Sequence, residues 1–403
     1  MRLRSTVLAV ACLTSAARTS AQQGPALTRD AAIARAIERG GRLRLAVADT
    51  ATAYAQWRVA RTFENPVLSA QYTKSTPQYH FTLDVPFDYP WLRGTRVAAA
   101  EATRAAARYR YAFERAAAAL DADTTYTRAI AAQEKLRLSR RNAADADSLR
   151  RIAVARREAG DASDLDVELA TVSAGQQANA AAADSLAWLS ALLDLQTVIG
   201  YADAEPMVVL TDSLVAPSDS IVARSGEPLP IAAAEAALRS ASLGVRLQRR
   251  SLVASTSLTT GVEMHDPTGD EPGVLPVIGF SIPFPLFNRN GAQIAVAEAE
   301  QFRAQAERDV AVLETRAVIA RTNRERSIAL ANVARDQRLV ASAGRVAALS
   351  LTAYREGAAP LATAIEAQRN SREILAQYIE DLAAAWIATA ALRVRTLTVE
   401  TTP

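Results

Sequence analysis

Leu83-Asp84-Val85-Pro86-Phe87 returns, 197 residues further on, as Phe280-Ser281-Ile282-Pro283-Phe284. The same spacing relates Gly94 to Gly291, Glu101 to Glu298, Gly160 to Gly357 and Ala170 to Ala367. One spacing kept without a gap over this length reads as two copies of one design, and such self-similarity decides the fold before any local pattern does. Each copy has the same order. An Ala-rich helix (about 28–60; about 229–250) leads into two strand-like runs, a very long helical stretch, a Gly-marked turn and a second long helical stretch. The expected division is repeat 1 over 22–200 with a hairpin at 67–87 and a tip near 160, a linker over 201–228, and repeat 2 over 229–403 with a hairpin at 255–284 and a tip near 357. Pro206, Pro217, Gly226 and Pro228 mark the linker as irregular.

The helical stretches are the plainest feature. Neither Gly nor Pro occurs from Thr95 to Ala159, from Ala292 to Ala343, or from Leu361 to Thr402. Sixty helical residues span about 90 Å, several times the width of a small domain. Such helices must bury a narrow stripe against equally long neighbours. Leu375, Ile379, Leu382 and Trp386 give one such stripe, and Leu165, Leu169 and Val172, then Leu189 and Leu193, give another. Alanine between these positions lets backbones approach closely. Of the 403 residues, 50% are hydrophobic, 22% charged and 5% aromatic, a composition too apolar for a disordered chain.

Met1-Arg2-Leu3-Arg4, the apolar run Val7 to Leu13 and the small residues Thr19-Ser20-Ala21 have the pattern of a secretory signal peptide, residues 1–21, cleaved after Ala21. Loss of Arg2, Arg4 and Arg18 from the 46 basic residues leaves 43 against 43 acidic ones, so charge gives no support to nucleic-acid binding. Cys12, the only cysteine, leaves with the leader, and with it go disulfides, thiolate nucleophiles and cysteine metal sites. Past residue 21 no apolar run reaches the ~18–20 residues of a spanning helix. A secreted chain of this kind is either soluble or enters an outer membrane through strands.

The strand runs choose the second. Phe81, Leu83, Val85 and Phe87 alternate with Thr82, Asp84 and Asp88, and Ile278, Phe280, Ile282 and Phe284 alternate with Gly279 and Ser281. An apolar face opposite a small-polar face is what a membrane β-barrel strand requires. Tyr72, Tyr79, Tyr89 and Trp91 stand near the strand ends, where aromatic girdles lie. Four strands cannot close a barrel, and an open sheet in lipid leaves backbone groups unpaired at several kcal/mol each. Several chains must therefore share one barrel. Two give eight strands and three give twelve, and counting does not choose between them.

At Pro283-Phe284-Pro285-Leu286-Phe287-Asn288-Arg289-Asn290-Gly291, with Ile294, Ala297 and Glu298 following, the chain resembles the TolC-like outer-membrane efflux proteins, and among them the heavy-metal and cation-efflux branch. Pro86-Phe87-Asp88-Tyr89-Pro90-Trp91-Leu92-Arg93-Gly94 is the first copy's counterpart. The two tips, 157–166 and 354–361, carry the likeness further, so that it covers nearly the whole mature chain. The resemblance implies a chain that is mainly α with a small β part: two tandem repeats, a long α-helical barrel, and four strands given to a trimeric twelve-stranded outer-membrane barrel. It implies a homotrimer set in outer-membrane lipid with a large periplasmic part. Its partners would be a periplasmic adaptor (membrane fusion) protein and an inner-membrane pump of the resistance-nodulation-division type. The implied role is a passive export duct for small molecules or metal cations, with no cofactor and no catalysis.

Site residues follow from the same resemblance. Adaptor docking falls on Arg157, Gly160, Asp161, Ser163, Tyr354, Arg355, Gly357, Ala358 and Pro360, and the closing gate on Glu366 with Asp166 as a partner in tip hydrogen bonding. A second family acid, six residues after the glycine, is Thr363 here. The strand-to-helix junction falls on Pro86, Gly94, Pro283, Pro285 and Gly291; prolines lack the N–H that continues a ladder, and glycines suit a sharp change of direction. Only two histidines exist, His80 and His265, and His265-Asp266 with Asp270-Glu271 reads as a solvated loop, not a ligand set. No phosphate-binding loop, dinucleotide fingerprint or nucleophile elbow is present. The competing reading, a periplasmic adaptor or coiled-coil structural protein, accounts for neither the duplication nor the strands.

Overall fold

The computed structural model describes residues 26–202, 205–218, 226–251, 256–269, 273–282, 284 and 286–398. The leader, residues 1–21, lies outside them. Among the described residues, seven helices and six strands follow in chain order: β1 (Ala26–Leu27), α1 (Arg29–Arg39), α2 (Gly41–Arg61), β2 (Val67–Tyr72), β3 (Tyr79–Pro86), α3 (Pro90–Glu158), α4 (Asp164–Val198), β4 (Val209–Leu210), α5 (Leu229–Arg250), β5 (Ser257–Met264), β6 (Val274–Ser281), α6 (Gly291–Arg355) and α7 (Leu361–Arg395). The duplication is visible in the helix ends. Glu158 to Arg355, Asp164 to Leu361 and Val198 to Arg395 each step 197 residues.

α3 runs 69 residues, about 100 Å, because nothing within it breaks a helix and Pro90 opens it in the first turn, where the missing N–H costs nothing. It ends at Gly160, whose φ of 82° lets the chain reverse. The Asp161 amide then donates to the Arg156 carbonyl at 2.8 Å, and the Gly160 amide to the Arg157 carbonyl at 3.0 Å. Gly357, at φ 74°, does the same for α6, with Ala358 N–H donating to Ala353 O at 2.8 Å.

One expected element divides. The Ala-rich run of about 28–60 is two helices, broken at Gly40, which is extended. Its amide bonds the Ala36 carbonyl, and a Cβ there would lie 2.4 Å from that oxygen, so the backbones approach as only glycine allows.

Helices pack side by side as one layer. In the part next to the strands the order of neighbours is α2–α3–α5–α6; in the far part it is α4–α3–α7–α6. α3 is therefore interior throughout, and its buried face is largely alanine, with Ala102, Ala106, Ala122, Ala129, Ala146 and Ala153 at the contacts. Midway, Leu27, Tyr126, Ile130, Leu192, Leu195 and Ile199 form a core under the parallel pair β1–β4. The segment read as an irregular linker supplies β4 to it. Tyr126 is fully buried and its hydroxyl bonds the Leu27 carbonyl and Asp212 at 2.9 Å each. Burial, then the Asp212 carboxylate, push that phenol well above its ordinary range.

Within one chain the expected stripe on α4 is left uncovered. Leu165, Leu169 and Val172 are exposed, and the buried positions are Ala170, Leu192, Leu195 and Gln196. α4 touches α3 on one side and has little on the other, so only a narrow face is covered and the leucines point away from it.

β2, β3, β5 and β6 form one four-stranded antiparallel sheet in that order, the β3–β5 pair joining the two hairpins. Its outer strands are β2 and β6, and the outer helices beside them are α2 and α6, so the same two edges of the molecule stay uncovered.

Candidate functional sites in the sheet, the junction and the tip

Directly paired residues share a face of a sheet. Leu68, Phe81 and its partners Ala70 and Val262, Val85 with Leu258, and Leu258 with Phe280 lie on one face. Ile278 and Phe280 there are 77% and 74% exposed, and the apolar surface runs on past the strand end through Ile282 to Phe284. The opposite face is polar. His80 Nδ1 and Glu263 Oε1 stand 2.9 Å apart, His80 Nε2 and Thr73 Oγ1 3.1 Å apart, and Thr259 donates to Asp84. A sheet with an exposed apolar face and a hydrogen-bonded polar one has the division of a lipid-facing wall and a wet interior.

The junction differs in detail from its expectation. Pro86 is the last residue of β3, paired with Ser257. Pro283 and Pro285 lie outside the described residues. Gly94 is inside the opening turns of α3 and Gly291 starts α6, and neither has positive φ; the left-handed residue is Asn290, at φ 60°. The reason is local bonding. Asn290 Nδ2 donates to the Gln248 carbonyl at 2.6 Å and to Ser251 Oγ at 2.8 Å, fastening the start of α6 to the end of α5, and asparagine tolerates that conformation.

At the tip the two turns meet. Arg157, Gly160, Asp161, Ser163, Arg355, Gly357, Ala358 and Pro360 are all exposed. Tyr354 is not: at 3% exposure its ring fills the space between the turns, so it supports the tip from within and offers no surface to a partner. Burial raises its phenol pKa, with Asp166 adding to the rise and Arg156 opposing it. Sequence reasoning missed Arg156. Its guanidinium lies 4.9 Å from the Tyr354 ring centre and donates to the Tyr354 carbonyl and, at 3.3 Å, to the Asp161 carbonyl, so one cation ties both copies' turns. Ser163 and Asp166 form a reciprocal capping box: Ser163 Oγ accepts from Asp166 N–H at 3.2 Å, and Asp166 Oδ2 accepts from Ser163 N–H at 3.1 Å. Glu366 is exposed on α7, 3.5 Å from Arg369.

A second unread feature lies higher on α6 and α7. Asp336 and Asp381 are both buried there, with Gln377 Nε2 donating to Asp381 at 3.3 Å and Arg335 3.5 Å from Asp336. Burial first, then the Asp336 carboxyl, raise the Asp381 pKa. Nothing in the helical pattern announces that these two acids face each other.

Fold and sheet together define a class: proteins whose long α-helical layer is joined to a small four-stranded antiparallel sheet. Among the described residues no helix is long and apolar enough to cross a membrane. Residues 227–396 match the model of the family described as outer membrane efflux protein. That match covers the second repeat, less than half of the chain, and likens it to the outer membrane efflux proteins. Solved structures share the fold over most of the chain. A membrane protein from Pseudomonas aeruginosa superposes with a TM-score of 0.74 at 19% identity, covering 92% of this chain and 93% of that one. CusC, described for its transmembrane channel formation, gives 0.75 at 18%, covering 92% of each. The outer membrane protein VceC from Vibrio cholerae gives 0.73 at 16%, covering 91% and 95%. No curated protein sequence matches.

Proposed function

We propose that three copies of this chain close one twelve-stranded barrel and one helical tube, forming a passive export duct that docks by its tips on a periplasmic adaptor and, through it, on an inner-membrane pump. One observation carries the reading: β2 and β6 at the sheet's edges, and α2 with α4 opposite α6 along the helical layer, are left uncovered on the same two sides. An unpaired strand edge in lipid costs several kcal/mol per backbone group. Joining β6 of one copy to β2 of the next removes both edges at once. The exposed side chains on the helical edges, Leu45 and Val59 on α2, Leu165 and Leu186 on α4, Phe302 and Leu313 on α6, are then covered by the same closure. The polar sheet face, with His80, Asp84, Thr259 and Glu263, lines the passage.

The tip is the adaptor-docking surface, through Arg157, Gly160, Asp161, Ser163, Arg355, Gly357, Ala358 and Pro360. Tyr354 and Arg156 hold it in shape. Glu366 gates the narrow end, where three symmetry-related carboxylates would attract cations and repel one another. Asp166 supports the turn through its capping box. Cargo is small molecules or cations, moved by the pump's energy, so the chain carries out no reaction of its own.

The test is photo-crosslinking in outer-membrane fractions with benzoylphenylalanine at Ser69 on β2. Adducts to β6 of another copy, in a heat-sensitive trimer, are expected. A soluble periplasmic monomer, or adducts only within one chain, would overturn the proposal.

A further inference from the structure

Four helix ends meet the sheet at one level. The register sets this: Val67 pairs near the end of β3, Pro86 pairs with Ser257, and Ser257 with Ser281. The chain therefore leaves the strands toward α2, α3, α5 and α6 in a single plane. Every one of those four ends bears arginine. Arg58 and Arg61 close α2, Arg249 and Arg250 close α5, Arg93 and Arg96 lie in the opening turns of α3, and Arg289 lies two residues before α6. Glu64, Asp88 and Glu298 are the acids in the same segments. Asp88 is shared by Arg96 at 2.9 Å and Arg93 at 3.5 Å, and Arg249 reaches Glu298 at 2.6 Å.

Helix dipoles explain only half of this. Cations at the C-terminal ends of α2 and α5 are favourable, whereas cations at the N-terminal ends of α3 and α6 are not. What the four ends have in common is their level beside the sheet. The far end of the sheet, residues 73–78 and 265–269, has no arginine and a single lysine, Lys74. Large apolar side chains stand at the same level as the arginines. Phe287 is 101% exposed and Phe284 82%, with Phe63 and Trp91 also exposed, and Arg93 lies 4.4 Å over the Phe63 ring.

We infer that this arginine and aromatic collar is a binding surface for the headgroups of anionic glycerophospholipids in the inner leaflet of the outer membrane. The inference rests on the reading that the sheet spans that membrane. Rings at this level sit at the boundary of the hydrocarbon, and guanidinium groups just beyond them meet the phosphate layer. Arg58, Arg61 and Arg289 are exposed and supply the charge; Arg93 and Arg96 also brace Asp88 and the end of α2.

The collar holds Trp91 and, one turn into α2, Trp57, two of the chain's four tryptophans, so lipid contact is readable by fluorescence. The full chain is reconstituted into phosphatidylcholine vesicles doped with brominated phosphatidylglycerol or brominated phosphatidylcholine. At low salt, quenching should favour phosphatidylglycerol, with selectivity falling about fivefold for each exposed arginine removed. The triple substitution Arg58→Gln, Arg61→Gln and Arg289→Gln should abolish the preference, and the matching lysine variant should keep it. Equal quenching of the native chain by both lipids, or a preference that survives in the glutamine variant, overturns the inference while leaving the membrane reading intact. A chain stripped from the vesicles by alkaline carbonate overturns both.

Discussion

Two glycines in the first repeat, Gly94 and Gly160, should respond oppositely to the same substitution. At Gly160 φ is 82°, and a Cβ would meet nothing within 4 Å, so Gly160→Ala costs only the left-handed backbone, about 1–2 kcal/mol. The unfolded chain loses freedom as well, which returns about 0.4–1 kcal/mol. The net loss is then about 1 kcal/mol, confined to the tip. Gly94 sits in α3 with no positive φ and equally open space, so Gly94→Ala should gain about 0.5–1 kcal/mol from helix propensity alone. Hydrogen exchange by mass spectrometry reads the tip directly. The Asp161 amide, bonded to the Arg156 carbonyl at 2.8 Å, should exchange about fivefold faster in Gly160→Ala. Gly160→Asn should fall between, because asparagine visits the left-handed region more readily than alanine. Unchanged protection in Gly160→Ala, or a loss at Gly94→Ala matching it, would refute the assignment of the turn to backbone conformation.

Asp381 gives a pH effect of definite sign. Its folded pKa is raised by burial and by Asp336, so its contribution is present at acid pH, below the unfolded carboxyl value, and is lost as pH rises through the folded value. Asp381→Asn should raise the melting temperature near neutrality and narrow the difference between acid and neutral melts; an unaltered difference removes this account. On the sheet, Ile278→Lys should oppose insertion by about 2–4 kcal/mol if the apolar face meets lipid near mid-depth, while Thr259→Lys on the polar face should insert normally, as urea titration in vesicles would report. Equal tolerance of both would place no lipid on the Ile278 face. Glu366→Ala should increase ion leakage in planar bilayers and relieve block by divalent cations; unchanged conductance and block would take the gate away from Glu366.

Much of this molecule was legible in residue order because its long-range plan is written twice. Absence of Gly and Pro over 95–159 meant a single helix whatever surrounded it, and the recurrence of Gly160 as Gly357 marked both turns. Strand alternation was equally local, since period two puts Phe81 and Val85 on one face without reference to any partner. Local reading failed where a residue's role depends on a distant neighbour. The Leu165 stripe finds no cover within one chain, where α4 packs mainly on α3 and only lightly on α7. Gly94 and Gly291 were expected to turn the chain, yet neither has positive φ, and before α6 Asn290 takes the left-handed conformation, its amide bonded to Gln248 and Ser251. Tyr354 was placed on the tip's surface, where a tyrosine in a turn belongs on local grounds, and the opposing Arg156 draws it inward.

By itself, then, the order of residues determined the duplication, the lengths of the helices, the two-faced strands and the positions of the turns, because each rests on backbone preference or on a period shorter than one element. Tertiary structure alone decided the strand order β2–β3–β5–β6, the matching uncovered edges, the meeting of Asp336 with Asp381 and the level at which the arginines gather. Those depend on which surfaces lie side by side, and contacts between residues far apart in the chain leave no trace in the spacing of either partner.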